Sequence, residues 1–133
     1  MSVSRATYLD SSALVKLAVQ EPESSALRRY LARRRLVISS ALARTEVARA
    51  LLPSGADAAR RGQDVLASVE LLRISDRVLR AAGAMPPVDL RSLDAIHLAS
   101  AELLGSDLGA FVTYDMRLAS AATVRGLRVV QPG

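Results

Sequence analysis

The 133-residue chain has no cysteine and no tryptophan, and only 3% of its residues are aromatic. Without cysteine it can form no disulfide, no thiolate metal site and no cysteine nucleophile. The core must therefore come mainly from alanine, leucine and valine. Because alanine and leucine favour helices, we expect a protein with more helix than average.

Long hydrophobic runs are also missing, although 50% of the residues are hydrophobic. No run approaches the roughly 18–20 residues that a membrane span needs. The N-terminus lacks the charged start and apolar stretch of a signal peptide. We therefore expect one domain over residues 1–133, cytoplasmic and without membrane contact.

Charge of one sign dominates, since the net charge is +5 and the isoelectric point is about 10.7. Such a balance favours a polyanionic partner. Lys16 is the single lysine, and arginine binds phosphate in a bidentate way that lysine does not. A GC-rich genome would also enrich arginine, so the charge alone does not identify a nucleic-acid partner. The run Arg33–Arg35 is interpreted as a solvated helix end and as a reserve candidate for contact with a polyanion.

Strands and helices are predicted to alternate along the chain. The predicted strands are Ala6–Asp10, Leu36–Ser40, Glu70–Ser75, Ala110–Tyr114 and Arg128–Gln131. The predicted helices are Ser11–Val19, Glu21–Arg34 with Pro22 in its first turn, Ala41–Leu52, Gly55–Val69, Asp76–Met85, Ser92–Leu104 with Ser92 as N-cap, and Met116–Arg125. This alternation predicts an α/β fold with a mainly parallel sheet covered on both faces. Ligands of such sheets bind beyond the carboxyl ends of the strands.

Four acidic residues stand out by position. Asp10 closes the first strand and Asp115 follows the fourth, while Glu46 and Asp94 interrupt helices that are otherwise apolar. Each one alone could be structural, for example as a helix cap or a first-turn acid. Carboxylates brought close together repel one another unless a cation neutralises them. Oxygen-only ligands suit Mg²⁺ or Mn²⁺ rather than zinc.

Four segments, YLDSSALVKL, RTEVARALL, LRSLDAIHLASA and VTYDMRLASAA, in this order and spacing, resemble the PIN domain. The overall form is most similar to the VapC-type toxins of bacterial toxin–antitoxin pairs. The resemblance implies a three-layer α/β/α sandwich and Mg²⁺-dependent hydrolysis of RNA phosphodiester bonds, with Mn²⁺ as a substitute. It also assigns residues by position. The implied catalytic and metal-binding residues are Asp10, Glu46, Asp94 and Asp115, and the implied hydrogen bonders that hold these carboxylates are Ser12 and Thr113. Leu118 stands where the family has a further acid or asparagine. The resemblance therefore does not decide whether a second metal site exists.

Arginines close to these acids are the candidates for binding phosphate. Arg44, Arg91 and Arg117 each lie two or three residues from one of the four acids. His97 lies one helical turn after Asp94, and we interpret it as a hydrogen bonder at the edge of the core more than as a metal ligand. The resemblance further implies a homodimer and a small antitoxin protein. The antitoxin would lay a helix in an apolar groove and place a cation in the acidic pocket.

Other classes of function remain open. A PIN fold could bind RNA without cleaving it. A receiver-type phosphoacceptor module would need paired acids near the first strand, a mid-chain acceptor aspartate and a late lysine. A phosphatase of the haloacid-dehalogenase type would need a second aspartate at Ser12.

Overall fold

Five parallel strands form the central sheet of the computed structural model, which describes residues 5–133. The strands are β1 (Ala6–Leu9), β2 (Leu36–Ser40), β3 (Glu70–Leu72), β4 (Leu108–Val112) and β5 (Val129–Val130). Their order across the sheet is β3-β2-β1-β4-β5, and every neighbouring pair is parallel. The predicted α/β class and parallel sheet are confirmed.

Seven α-helices connect the strands within the described residues. They are α1 (Ser11–Ala18), α2 (Ser24–Leu31), α3 (Ala43–Leu51), α4 (Ala56–Ala67), α5 (Asp76–Gly83), α6 (Ser92–Glu102) and α7 (Met116–Val124). None of the helices in residues 5–133 has both the length and the apolar content that crossing a bilayer requires.

Two hydrophobic clusters, one on each face of the sheet, create the three layers. Leu9 and Val112 pack against α1, α2, α3 and α4 on one face. Tyr8 and Phe111 pack against α6 and α7 on the other face, and their rings stack with centroids 5.3 Å apart. Because side chains alternate between the faces of a strand, the adjacent residues Tyr8 and Leu9 serve opposite layers.

The order of the strands fixes where a ligand site can lie. From β1 the chain builds outward to β2 and β3 on one side, and then returns to β4 and β5 on the other. The crevice between β1 and β4, at their carboxyl ends, is therefore the switch point of the sheet, where open α/β sheets bind their ligands. Asp10 directly follows β1, and Asp115 lies three residues beyond the end of β4.

Several local predictions were wrong, among them the bounds of β4, which was predicted at Ala110–Tyr114. Helix α2 begins at Ser24 and not at Glu21, because the Ser24 hydroxyl accepts a hydrogen bond from the Glu21 N–H (2.9 Å) and closes a turn before the helix. Pro22 therefore lies in that turn rather than in the helix. Ser92 is the first residue of α6 and not its cap, since Arg91 occupies the cap position without a side-chain capping bond.

Candidate active site

A cavity of about 350 Å³ lies at the carboxyl ends of β1 and β4. The four acids predicted from the sequence, Asp10, Glu46, Asp94 and Asp115, all contribute to its lining. They come from four separate segments, namely the β1–α1 junction, α3, α6 and the β4–α7 junction. We call this space the acidic cavity.

Asp10 is the most deeply held of the four acids, with 3% of its surface exposed. One carboxylate oxygen accepts hydrogen bonds from the Ser12 hydroxyl (2.7 Å) and from the Ala13 N–H (3.0 Å), so that Asp10 caps α1. The other oxygen accepts from the Thr113 hydroxyl at 2.6 Å. Burial raises the pKa of Asp10, and these donors oppose that shift by stabilising the ionised form. Ser12 and Thr113 thus bond to a carboxylate of the quartet, as their motif positions predicted.

Thr113 and Ser12 also link Asp10 to the segment that carries Asp115. The Thr113 hydroxyl accepts a hydrogen bond from the Asp115 N–H at 3.0 Å. The Ser12 hydroxyl accepts from the Tyr114 N–H at 2.9 Å. Each hydroxyl therefore donates to a carboxylate and accepts from the backbone, which fixes the β4–α7 junction against the start of α1.

Glu46 is held by a short chain of hydrogen bonds that reaches the core. Its Oε1 accepts from the Ser11 hydroxyl at 2.6 Å and lies 2.7 Å from His97 Nε2. On the other side of the imidazole, His97 Nδ1 lies 2.8 Å from the hydroxyl of the buried Tyr8. Burial, followed by the charge of Asp10, raises the pKa of Tyr8 and keeps it protonated. Tyr8 can therefore donate to Nδ1, which leaves Nε2 to carry the hydrogen that faces Glu46.

The environment of Glu46 favours its ionised form. Partial burial alone would raise its pKa, but hydrogen bonds from His97 and Ser11 together with nearby positive charge, including that of Arg91, outweigh burial, and the pKa is lowered overall. Asp10 and Glu46 thus have pKa values that are shifted in opposite directions within one cavity. Such a separation is typical of acids that carry different roles in one site.

Arg91 forms ion pairs with the other two acids. Its Nε lies 3.1 Å from Asp94 Oδ2 and one of its terminal nitrogens lies 3.0 Å from Asp115 Oδ2. The two carboxylates, Asp94 first, raise the pKa of Arg91. The second oxygen of Asp115 accepts from the N–H groups of Arg117 and Leu118 and caps α7. The chain itself thus supplies one positive charge to the crowded carboxylates.

These pairings bear directly on metal binding. Among residues 5–133, no three side chains of histidine, aspartate or glutamate lie close enough together to hold a metal ion as they stand. Arg91 lies between Asp94 and Asp115, and His97 engages Glu46. The donor chemistry of the cavity nevertheless fits a hard divalent cation, because its four candidate ligands are all carboxylates. Movement of the exposed Arg91 side chain would release two of them.

The three predicted phosphate-binding arginines lie in different surroundings. Arg91 lines the acidic cavity itself. Arg117 lines a larger groove of about 970 Å³, which lies along α7 and shares Arg91 and Asp94 with the acidic cavity. Arg44 is exposed on α3 and lines neither the acidic cavity nor the groove along α7.

Some interactions in the cavity were missed from the sequence. Ser11, not only Ser12, bonds to one of the acids, and the Tyr8 hydroxyl bonds to His97; neither contact was predicted. The two adjacent serines after Asp10 left open which hydroxyl would face which acid. For Arg91 a signal did exist, because residues three apart on a helical turn are neighbours and Arg91 precedes Asp94 by three.

Comparison with known proteins identifies the family of the chain. Residues 7–124 match the model of the PIN domain family. The chain is 58% identical over 127 residues to Ribonuclease VapC46 of Mycobacterium tuberculosis, an alignment that covers 96% of this chain and 98% of the relative. It is 44% identical over 130 residues to Ribonuclease VapC35 of the same species, with 95% and 96% covered.

Solved structures share the fold at much lower identity. The sarcin–ricin loop cleaving toxin VapC20 of Mycobacterium tuberculosis superposes with a TM-score of 0.76 and 17% identity, covering 95% of this chain and 99% of that one. A toxin–antitoxin complex from Klebsiella pneumoniae contains a chain with a TM-score of 0.72 and 22% identity, covering 96% and 98%. The match to the PIN family excludes the receiver-type and phosphatase-type alternatives.

Proposed function

Because the chain belongs to the VapC family of PIN-domain ribonucleases, we propose that it hydrolyses RNA phosphodiester bonds internally and that the acidic cavity is its active site. The observation that carries this proposal is the convergence of four carboxylates from four chain segments on one cavity of about 350 Å³. Four unrelated helix caps would have no reason to share a cavity at the switch point of the sheet.

PIN-domain VapC ribonucleases generally depend on a divalent metal, and we propose Mg²⁺, with Mn²⁺ able to replace it. Asp10 and Asp94 would be the principal ligands, and Glu46 and Asp115 would complete the shell directly or through water. Once bound, the metal would lower the pKa of a water molecule and stabilise negative charge on the phosphate being cleaved.

The other residues of the cavity act on the carboxylates. Ser12 and Thr113 orient Asp10 through bonds of 2.7 and 2.6 Å to its two oxygens. Ser11 and His97 orient Glu46 and keep its pKa low, after allowance for burial. An ionised Glu46 can hold a water molecule by accepting a hydrogen bond from it at a carboxylate oxygen, and can then act as the general base that takes its proton. Both acids are therefore aligned before substrate arrives, which is how a site of this type lowers the barrier.

Arg91 links the resting protein to the substrate complex. Without a metal or substrate, its guanidinium forms ion pairs with the carboxylates of Asp94 and Asp115. A cation that bound these carboxylates would free Arg91, which is exposed and carries the planar fork that suits phosphate. The groove that holds Arg117 continues from the same point and provides the path that we propose for the RNA strand. Arg44 would touch RNA only at the outer rim.

A small antitoxin protein and a homodimer are part of the same proposal. The acidic cavity already accepts a guanidinium, that of Arg91, at 3.0–3.1 Å from two of its acids. A partner that placed its own arginine or lysine there would compete with a metal for the same carboxylates. An RNA substrate implies action in the cytoplasm.

Cleavage of RNA by the purified chain tests the proposal. We expect single-stranded or loop RNA to be cut in Mg²⁺ or Mn²⁺ and to stay intact in EDTA. Asp10→Asn and Asp94→Asn should abolish cleavage. Asp64→Asn, which removes one exposed acid from α4, should cleave like the parent. Binding of RNA without cleavage by the parent in Mg²⁺ would favour a non-catalytic RNA-binding module, and cleavage that persists in EDTA would contradict the metal mechanism.

A further inference from the structure

A second polar cavity, of about 440 Å³, lies at the amino ends of the strands, opposite the acidic cavity at their carboxyl ends. Five arginines contribute to its lining: Arg5, Arg33, Arg34, Arg35 and Arg128. All five are exposed. We call this cavity the arginine pocket.

Three chain segments bring these arginines together at the amino ends of the strands. Arg5 precedes β1, the run 33–35 joins α2 to β2, and Arg128 precedes β5. Because the acidic cavity begins at Asp10, Arg5 lies roughly 16 Å from that cavity along β1, at about 3.3 Å per residue. The arginine pocket is therefore separate from the proposed active site.

The backbone beside Arg5 is shaped for close approach. The pairing of β1 with β4 shifts register between Ala6 and Thr7, opposite Gly109, which lines the arginine pocket. A Cβ at position 109 would lie 2.9 Å from the Cβ of Arg5 and 3.3 Å from the carbonyl oxygen of Ala6. Glycine is thus the residue that lets Arg5 pack against β4 at this irregularity.

The charge of the arginine pocket is not neutralised within residues 5–133. None of its five arginines forms an ion pair there. One of them, Arg34, instead lies over the ring of Tyr30, with its guanidinium carbon 4.2 Å from the ring centroid. Guanidinium groups do not lose their proton in proteins, so this cluster cannot relieve its repulsion by titration. A bound polyanion would relieve it, and a concave surface of one sign concentrates the field that attracts such a partner.

We propose that the arginine pocket is a second binding site for the phosphodiester backbone of RNA. Planar arginine forks match phosphate oxygens in pairs, and five of them around one cavity exceed what a single phosphate requires. Their exposure suits a polymer that crosses the surface, since interactions with phosphate position a nucleic acid without reading its sequence. The proposal takes RNA as the nucleic acid from the proposed function, but it concerns binding and needs no cleavage.

Salt-dependent RNA binding in EDTA tests the proposal, with fluorescence anisotropy of a labelled single-stranded RNA as the readout. The pocket variant is Arg33→Gln/Arg34→Gln/Arg35→Gln. The matched control is Arg73→Gln/Arg77→Gln/Arg80→Gln, which removes the same charge from exposed arginines in and next to α5 that line neither cavity. A second pocket variant, Arg5→Gln/Arg128→Gln, approaches the site from other segments and serves if the triple variant does not fold.

Affinity for RNA decreases as salt increases, so the slope of log affinity against log salt is negative. The absolute value of this slope should fall by about 0.7 for every phosphate of a single strand that a variant no longer neutralises. We therefore expect the slope of the pocket triple variant to fall by roughly 1.4–2.1 if its arginines neutralise two or three phosphates, and that of the control to fall by less than half as much. Equal changes in both triple variants would mean a general charge effect and would overturn the proposal. Because EDTA stops metal-dependent cleavage, a chain that failed to cleave RNA could still give the expected result.

The same variants distinguish RNA from other anions. Inorganic tripolyphosphate is titrated into the parent and the pocket triple variant by calorimetry. If the variant lost tripolyphosphate binding while its RNA binding was unchanged, the site would belong to free polyphosphate and the proposal would be wrong. If neither anion bound less well, the patch would serve another partner, such as an acidic protein, and the proposal would fail as well.

Discussion

Replacing Thr113 by valine isolates the hydrogen bonds that hold Asp10. The change keeps the shape of a fully buried side chain and replaces only its hydroxyl by a methyl group. That hydroxyl donates to Asp10 Oδ2 at 2.6 Å and accepts from the Asp115 N–H at 3.0 Å. A hydrogen bond to a charged group contributes about 1.5–3 kcal/mol, and a backbone N–H left without a partner costs about 1–3 kcal/mol. Asp115 is only partly buried, which limits the second cost, so we expect a total loss of roughly 2–3 kcal/mol.

Thermal and urea melts in EDTA measure this loss. For a chain of this size roughly 3–5 °C of Tm corresponds to 1 kcal/mol, so Thr113→Val should melt roughly 10 °C below the parent. Thr113→Ser keeps the hydroxyl and loses one methyl group, and we expect it to cost only about 1 kcal/mol.

The pH dependence of this loss of stability provides a sharper test. Burial raises the pKa of Asp10 and the Thr113 donor opposes this, so Thr113→Val should raise that pKa further. Ionising Asp10 then costs more in the folded variant than in the folded parent. The difference in stability should therefore be largest at about pH 8 and shrink as the pH falls toward about 4, because protonation of Asp10 removes the charge that the Thr113 hydroxyl stabilises. A valine variant that melts within about 2 °C of the parent, or that loses the same stability at both pH values, would refute this reasoning.

Two further predictions concern charge in the acidic cavity. Because the folded pKa of Asp10 is raised, the stability that it contributes is fully present below about pH 4 and is lost as pH rises through its folded pKa. Asp10→Asn should remove that part of the pH dependence in urea melts in EDTA, whereas the exposed Asp64→Asn should not; parallel curves for the parent and Asp10→Asn would disprove it. Arg91→Gln should bind Mn²⁺ more tightly than the parent in calorimetry, since Arg91 competes for Asp94 and Asp115. Arg117→Gln, whose side chain pairs with neither acid, should leave the Mn²⁺ affinity unchanged, and equal behaviour of the two variants would count against the competition.

The fold was largely predictable because its signals are local. Strand β2 was predicted with its observed ends, and β1 was predicted with one residue too many, because short apolar runs between helix signals leave few alternatives. The ends of α2 were not predictable. Whether Pro22 starts a helix or lies in a turn depends on the Ser24 hydroxyl, which bonds both to the Glu21 N–H and to the Val19 carbonyl.

Part of the site was predictable from local sequence motifs, and part of it depends on the tertiary fold. The four acids and the hydroxyls of Ser12 and Thr113 were available from motif positions. The bond between Tyr8 and His97 joins residues 89 positions apart and depends on how α6 packs against β1. The engagement of Asp115 by Arg91 spans 24 positions and depends on the position of the β4–α7 junction. Such interactions follow from the packed fold and leave no periodic trace in the sequence.

Metal binding by the parent and by single-charge variants tests most directly whether the four acids form one site. Binding of Mn²⁺ to the metal-free protein is followed by the loss of the free-ion signal in electron paramagnetic resonance. We predict that the parent and Asp64→Asn bind Mn²⁺ alike, and that Asp10→Asn and Asp94→Asn each lose most of the binding, although the two acids belong to different segments of the chain. Equal Mn²⁺ binding by all four proteins would contradict a shared metal site in the acidic cavity.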